Sequence, residues 1–334
     1  MAMNRIQFQH GMSLPEFLQS FGTQAVCAQA VMAARWPNGF SCPKCGEEAH
    51  CVISVNFRPL FQCNGCRRQT SVTAGTLFAG TKLPLTTWFL AIYLISQAKT
   101  GLSALALKRQ LGVSYPTAWL VHHKIMCAMA EREDAHPLTN VVQMDDAYLG
   151  GELTGSTAGR GSENKVPFVA AVSLNEKGHP VYLKLTLVAG FTRDAIKEWA
   201  KLHLAPGTVV TSDGLSCFAA VTDAGCVHVP TVVGDRKPRD LPEFAWVNTV
   251  LGNLKTTLAG AHHAFNYRKY ADHYLAGFAY RFNRRFDLHT LVVRLIVAVA
   301  RGKPRSEQVI RQAESHCQSG ARLSSAFMLS ALSR

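Results

Sequence analysis

Acid is scarce in this sequence. The 334 residues hold 22 Asp and Glu against 35 Lys and Arg, a formal surplus of +13. A surplus of that size selects a polyanionic partner, and nucleic acid is the usual one; a merely basic surface is the plainer alternative. A membrane-spanning run is also missing. The longest apolar stretch, LPLTTWFLAIYLISQA, is interrupted by two threonines, a serine and a glutamine, and LVVRLIVAVARG is short and carries Arg294. Both fall short of a bilayer span and read as buried helices. The opening MAMNRIQFQHG has no apolar core of the length that a secretory leader needs, so the expectation is a cytoplasmic protein with no membrane partner. Thiols stay reduced there, which excludes a disulfide framework for the ten cysteines. With 48% hydrophobic residues, wholesale disorder is excluded as well.

Four of those cysteines form a pattern. Cys42 and Cys45 make one C-x-x-C pair, Cys63 and Cys66 a second, and the connecting HCVISVNFRPLFQC alternates like a β-hairpin. This is the spacing of a four-cysteine zinc ribbon, with one structural Zn²⁺ expected at residues 38–80. A closed four-thiolate site has no open position and performs no catalysis. Arg67 and Arg68 follow directly and suit phosphate contact. Cys51 lies within the hairpin as a bystander, and the remaining cysteines read as core thiols.

Residues 81–135 read as helices. Pro84 starts one. Ser103 caps the next, which carries Lys108 and Arg109; Gly112 makes a turn, and Ser114 caps another with Pro116 in its first turn. Helix, glycine turn and capped helix is the outline of a helix-turn-helix, although any helical hairpin can share it. Tyr115, Thr117, His122 and Lys124 are its candidate DNA-facing positions, while Trp119 reads as core.

From residue 139 the texture becomes three strands, helix, strand, helix, strand, helix. That order is the layout of a ribonuclease H-like α/β core, a mixed five-stranded sheet with flanking helices. In it, Asp145 sits on the central strand and Asp213 ends the neighbouring one. Two converging carboxylates repel unless a divalent cation joins them, and hard oxygen ligands suit Mg²⁺ or Mn²⁺. Asp146 is adjacent to Asp145 and, by strand alternation, points to the opposite face. Further on, Asn248 and Lys255 are seven residues apart. On an α-helix they share one face, about 20° apart around the axis.

Taken together, RWPNGFSCPKCG, FQCNGCRRQTSVTAGTLF, MDDAYLGGE, SDGLSCF and WVNTVLGNLKTTLAGAHHAFNYRKYADHYLAGFAYRFNRRFDL resemble segments of bacterial insertion-sequence transposases of the DDE superfamily that begin with a zinc ribbon, insertion-sequence family fifteen-ninety-five. The resemblance spans nearly the whole chain. It implies a catalytic domain over 139–290, preceded by an N-terminal helical segment (1–37), the ribbon and the helix-turn-helix region, and followed by a basic helical tail (291–334). It places the first acid on Asp145 and the second on Asp213. The third position is a glutamate in many relatives. Here it falls on Asn248, with the family lysine on Lys255, as in the D-D-N-K branch. Asparagine can offer an amide oxygen to a metal but brings no charge and cannot act as a base. Asn253 competes for the same role, but two residues from Lys255 it points elsewhere around the helix.

The chemistry implied is cleavage and joining of DNA by two divalent ions held by Asp145, Asp213 and Asn248, with Lys255 on phosphate. The partners implied are duplex element ends, read by the ribbon and helix-turn-helix, and target DNA. A homodimer or larger oligomer on DNA follows from paired ends, in a bacterial, nucleoid-associated protein. Arg236, Lys237 and Arg239 in the loop before the Asn248 helix, and Arg281, Arg284 and Arg285 after it, are further candidate DNA contacts. Arg301, Lys303 and Arg305 continue that basic series. His228 and His263 read as structural, with assistance near the metals as the sharper alternative. Two rival readings are a DNA-binding regulator without catalysis and a ribonuclease H-like nuclease.

Overall fold

The computed structural model describes residues 9–55, 58–151, 162, 164–232, 234–236, 241–262 and 265–312. The chain divides into two compact units. One runs to Met129 and is joined again by Arg284–Ile310; the other contains Ala130–Asn283.

In the first unit, α1 (Leu14–Phe21) and α2 (Gln24–Arg35) begin at side-chain caps from Ser13 and Thr23. They precede the antiparallel hairpin of β1 (His50–Val55) and β2 (Arg58–Cys63), to which β3 (Gln69–Ser71) adds. Phe40 stacks on Phe61 at 5.1 Å, and Trp36 meets Phe61 edge-on at 5.0 Å, giving the small sheet an aromatic floor. Next comes α3 (Leu85–Gln97), apolar on most of its circumference and buried through Trp88, Phe89, Ile92 and Ile95. No described helix is long and apolar enough to cross a membrane.

The glycine turn takes the expected form. Ser103 Oγ accepts from the Ala106 N–H at the start of α4 (Ala104–Leu111), Gly112 adopts φ +65°, and Ser114 Oγ accepts from the Thr117 N–H at the start of α5 (Tyr115–Asp134). The glycine is required because an L side chain avoids that φ.

The residues expected from 291 onward as a tail begin inside a core helix. α9 (Leu288–Arg301) packs on α2 and α3 through Leu291, Leu295, Ile296 and Val299, and Arg301 Nε donates to the Ala34 carbonyl at 2.8 Å. LVVRLIVAVARG is thus the buried helix that its sequence predicts, and the expected tail boundary at 291 cuts into it. α10 (Glu307–Gln312) follows, and residues 313–334 of the expected tail lie outside the described residues.

The second unit is a five-stranded mixed sheet of β4 (Val141–Leu149), β5 (Val166–Leu174), β6 (Pro180–Leu187), β7 (Val209–Ser212) and β8 (Val227–Pro230), in spatial order β6-β5-β4-β7-β8. β4, β5 and β6 are antiparallel neighbours, and β7 and β8 add in parallel. That order is the ribonuclease H-like sheet, with β4 at its centre. α6 (Arg193–His203) crosses from β6 to β7. The stretch from β7 to β8 is a 3₁₀ segment (Ser216–Ala224) where the sequence reads as helix.

Alternation splits the sheet into two cores. Val142, Met144, Val169 and Val210 face Ile196, Trp199 and Phe218; Phe168, Ala170 and Val172 face Val247, Val250 and Leu254 of α7 (Ala245–Thr257) and Leu275 and Phe278 of α8 (Tyr267–Asn283). Each fully buried large apolar side chain contributes about 1.5–3 kcal/mol. The sheet is thus fixed from both sides, and the carboxyl end of β4 is held rigid. A π-helical turn, Leu258–His262, extends α7.

Candidate metal centres and nucleic-acid surface

β4 outruns its parallel neighbour. The last pair between β4 and β7 is Met144 with Ser212, so Asp145 and Asp146 emerge where β7 has already turned away. Asp213 follows Ser212 directly. Its Oδ1 accepts from the Leu215 N–H at 3.1 Å, and Gly214 at φ +83° makes the turn that this bond closes. One carboxylate oxygen from each of Asp145, Asp146 and Asp213 lies within 4.8 Å of the others, and all three residues are half-buried. Beyond β4, Gly150 has φ +89°, and a Cβ there would meet the Asn164 carbonyl oxygen at 2.2 Å, so only glycine fits the exit from this strand.

Asp146 corrects the sequence reading. By strand alternation the Cβ of Asp146 leaves β4 on the face opposite that of Asp145, which led to the expectation that Asp146 points away. β4 stays paired with β5 to Leu149 while its edge toward β7 is open past Met144, and a carboxylate oxygen of Asp146 lies within 4.8 Å of oxygens of both Asp145 and Asp213. The donor set is all oxygen. Adjacent ligands of an octahedral Mg²⁺ at about 2.1 Å stand about 3.0 Å apart and opposite ones about 4.2 Å. The separation of these carboxylates therefore fits oxygens gathered around one ion or a pair.

Asn248 and Lys255 both lie on α7 and are exposed, as is Asn253. Val247, Val250 and Leu254 bury the opposite face, which leaves Asn248 and Lys255 along one outer stripe. The start of α7 is tied to β4. The buried Gln143 Oε1 accepts from the N–H groups of Trp246 (3.0 Å) and Val247 (3.1 Å). Sequence reasoning missed Gln143, and a lone glutamine in a strand gives no signal. Near β7, His228 Nε2 lies 2.9 Å from Ser212 Oγ, and burial pushes the imidazole pKa below its usual value. His263 lies outside the described residues.

The cysteines of the ribbon converge. The Sγ atoms of Cys42, Cys45, Cys63 and Cys66 all lie within 4.8 Å of one another, with Cys42–Cys66 at 3.6 Å and Cys45–Cys63 at 3.5 Å. Those distances exclude disulfides, whose S–S length is about 2.05 Å. They match the edges of a tetrahedron around Zn²⁺, about 3.8 Å for Zn–S bonds of 2.3 Å. The Cys42 thiol is pulled down to about 6, first by the Lys44 N–H and also by the Cys66 and Cys45 thiols. Thiolates crowded this closely need a cation between them. Cys51 is exposed on β1, outside the cluster.

The basic candidates divide by exposure. Arg67, Arg68, Lys108, Arg109, Tyr115 and Arg236 are exposed, and Thr117 is half-buried. His122 and Lys124 are corrected: they are 3% and 7% exposed, and Lys124 Nζ donates to the Leu77 carbonyl at 3.2 Å. From Ala118 to Met129, apart from Trp119 and Leu120, α5 is buried, so of the candidate positions on this helix only Tyr115 and Thr117, in its first turn, are open to solvent. Arg281, Arg284 and Arg285 are half-buried; burial lowers the pKa of Arg281 and of Arg285 to about 10, and the Arg285 guanidinium lies 4.3 Å from the Phe286 ring centre. Lys237 and Arg239 lie outside the described residues.

Comparison with known proteins gives these features a context. Residues 22–69 match the transposase zinc-ribbon domain, and residues 137–283 match the ISXO2-like transposase domain, both of insertion-sequence family fifteen-ninety-five. The chain is 30% identical over 173 residues to an uncharacterized protein in transposable element ISH50 of Halobacterium salinarum; the match covers 46% of this chain and 56% of that relative. Among solved structures, chains of a pre-cleavage Mos1 transpososome (13% identity, TM-score 0.22) and of the Mos1 strand transfer complex (14%, TM-score 0.23) align over 65% of this chain and 79% of theirs.

Proposed function

We propose that this chain, a member of insertion-sequence family fifteen-ninety-five by its two matched domains, is a metal-dependent transposase that cleaves the ends of an insertion sequence and joins them to target DNA. The observation that carries the reading is the convergence of Asp145, Asp146 and Asp213 at the ends of β4 and β7. Two divalent ions, Mg²⁺ or Mn²⁺, would activate water or a DNA 3′-hydroxyl and stabilise the leaving 3′-oxygen. Asp145, on the central strand, would be shared between the ions, and Asp213, fixed by its turn, and Asn248 would each offer one further oxygen ligand. Asp146 supplies the negative charge that an asparagine in the third position lacks. Lys255, on the same helical stripe as Asn248, contacts phosphate as a point charge.

The ribbon, with one Zn²⁺ on Cys42, Cys45, Cys63 and Cys66, presents Arg67 and Arg68. The glycine turn presents Lys108, Arg109, Tyr115 and Thr117 to the duplex end. Arg236, Lys237, Arg239, Arg281, Arg284 and Arg285 serve target DNA. An element has two ends, so the working form on DNA is at least a dimer. The reaction takes place in the cytoplasm.

The test is cleavage, with Mn²⁺, of duplexes carrying the short inverted repeats that flank the gene. Wild type nicks at the repeat end, and Asp213→Ala falls by at least about a hundredfold while still binding DNA. Equal cleavage by both proteins removes Asp213 from the chemistry. Binding without cleavage by wild type supports a DNA-binding regulator instead.

A further inference from the structure

The amide of Gln143 stands where a catalytic strand meets the helix expected to complete its site. Gln143 is 4% exposed, lies on β4 opposite Val172 on one side and Thr211 on the other, and precedes Asp145 by two residues. Two residues of strand span about 7 Å and return to the same face. Its Oε1 takes the N–H groups of Trp246 and Val247 at 3.0 and 3.1 Å. These are among the backbone donors that the first turn of any helix leaves unpaired. α7 has no side-chain cap of its own, since Phe244 stands at the cap position with no such bond. An acceptor on the central strand therefore does the work of a cap, and the residue after Val247 is Asn248.

We infer that Gln143 is a positioning residue: by holding the first turn of α7 it sets the rotation and axial position at which Asn248 meets the ions bound by the aspartates. The apolar contacts of Val247, Val250 and Leu254 hold α7 on the sheet, but burial is non-directional and tolerates rotation or sliding. Two hydrogen bonds sharing one oxygen do not tolerate it. The indole Nε1 of Trp246, which donates to the Gly178 carbonyl at 2.7 Å, is a second tether at the same end. The strand that carries Asp145 thereby also sets the register of the helix that carries Asn248. This inference rests on the reading of Asn248 as a metal ligand, and the experiment separates the two.

The experiment uses the zinc-loaded full chain and Mn²⁺ alone as the probe. Dissociation constants are measured calorimetrically for wild type, Gln143→Leu, Gln143→Glu, Asn248→Ala and the Gln143→Leu/Asn248→Ala double variant. Amide exchange at Trp246 and Val247 reports the contact independently of any ion. Gln143→Leu is expected to speed exchange at both amides and to weaken Mn²⁺ binding about tenfold, the scale of losing a residue that orients a ligand. Gln143→Glu keeps the acceptor and is expected to restore slow exchange. In the Asn248→Ala background the Gln143→Leu change is expected to add less than about threefold.

Full additivity of the two changes, or unaltered exchange in Gln143→Leu, overturns the positioning role while leaving Asn248 as a ligand. Unaltered Mn²⁺ affinity in Asn248→Ala overturns the reading of Asn248 itself, and the role of Gln143 with it. A variant that unfolds is recognised by loss of protection throughout β4 and β5, and the Gln143→Glu exchange rates then decide: fast exchange at Trp246 and Val247 in that variant counts against the contact.

Discussion

Removing one charge from the aspartate cluster should have opposite effects on the metal-free and the metal-bound protein. With carboxylate oxygens of Asp145, Asp146 and Asp213 within 4.8 Å of one another, each ionised pair repels by about 0.9 kcal/mol at the dielectric constant of water and about 3.5 kcal/mol at an effective value of 20. Asp146→Asn deletes two of the three pairs while keeping size and hydrogen-bonding capacity. The relief lies between about 2 and 7 kcal/mol. The groups are half-buried and open to solvent, so the lower end applies, about 2 kcal/mol. Urea unfolding of the sheet unit in chelator, followed by hydrogen exchange of β4 and β5, should show the variant more stable by that amount. Mn²⁺ titration should show the reverse, with affinity lower by about tenfold because an anionic ligand has become neutral. A variant that is less stable without metal and binds Mn²⁺ as well as wild type would refute the claim that Asp146 belongs to the cluster.

A buried histidine and the zinc ribbon each offer a further perturbation. His203 is buried with Nδ1 at 3.1 Å from Lys184 Nζ, and burial, with the Lys184 charge, holds its pKa down to about 3. The unfolded chain protonates this imidazole near pH 6.5 and the folded one does not, so its contribution is complete above pH 6.5 and is lost as pH falls toward 3, by roughly 1.4 kcal/mol per pH unit. His203→Asn keeps an acceptor at the Nδ1 position and does not titrate. The stability gap between it and wild type should change by roughly 2 kcal/mol between pH 6.5 and 4.5, measured by urea unfolding, and a constant gap counts against the burial of a neutral histidine. Cys45→Ser should lower zinc content, measured by a metallochromic dye, from one equivalent to none at low micromolar zinc and open residues 38–80 to proteolysis. Full zinc retention in that variant would remove Cys45 from the site.

The parts of the molecule visible in the sequence were those written in local, periodic or spaced patterns. Two C-x-x-C pairs fix a tetrahedral site because the chain between them makes a hairpin of the right length, and Ser103, Gly112 and Ser114 mark a helix end and two starts through backbone rules that hold anywhere. Strand order was legible because β-rich runs alternate with amphipathic helices from residue 139. Long-range burial was not. α5 carries His122, His123 and Lys124 in a run that reads as a polar face, yet the unit closes over it, and Lys124 reaches a carbonyl at Leu77 far away in sequence. The far end of the chain shows the same limit: LVVRLIVAVARG reads as a buried helix, and α9 is one, but nothing local says that it packs on α2 and α3, far earlier in the sequence, rather than opening a tail at residue 291.

Asp146 shows why a sound local rule can fail at the place where function is expected. Strand alternation fixes the direction of each Cβ and not where the carboxylate beyond it ends, and nothing in MDDAYLGGE says where the neighbouring strand stops. The stop is set elsewhere, by Asp213, Gly214 and Leu215, whose turn ends β7 opposite Met144. Past that point β4 keeps β5 on one side and has an open edge on the other, and there the oxygens of Asp145, Asp146 and Asp213 come within 4.8 Å of one another. Sites at the carboxyl ends of parallel strands use this division: the sheet supplies support up to the last pair, and residues at and just beyond it supply the converging groups. The turn at Gly214 thus leaves open the edge of β4 beside which the carboxylates meet.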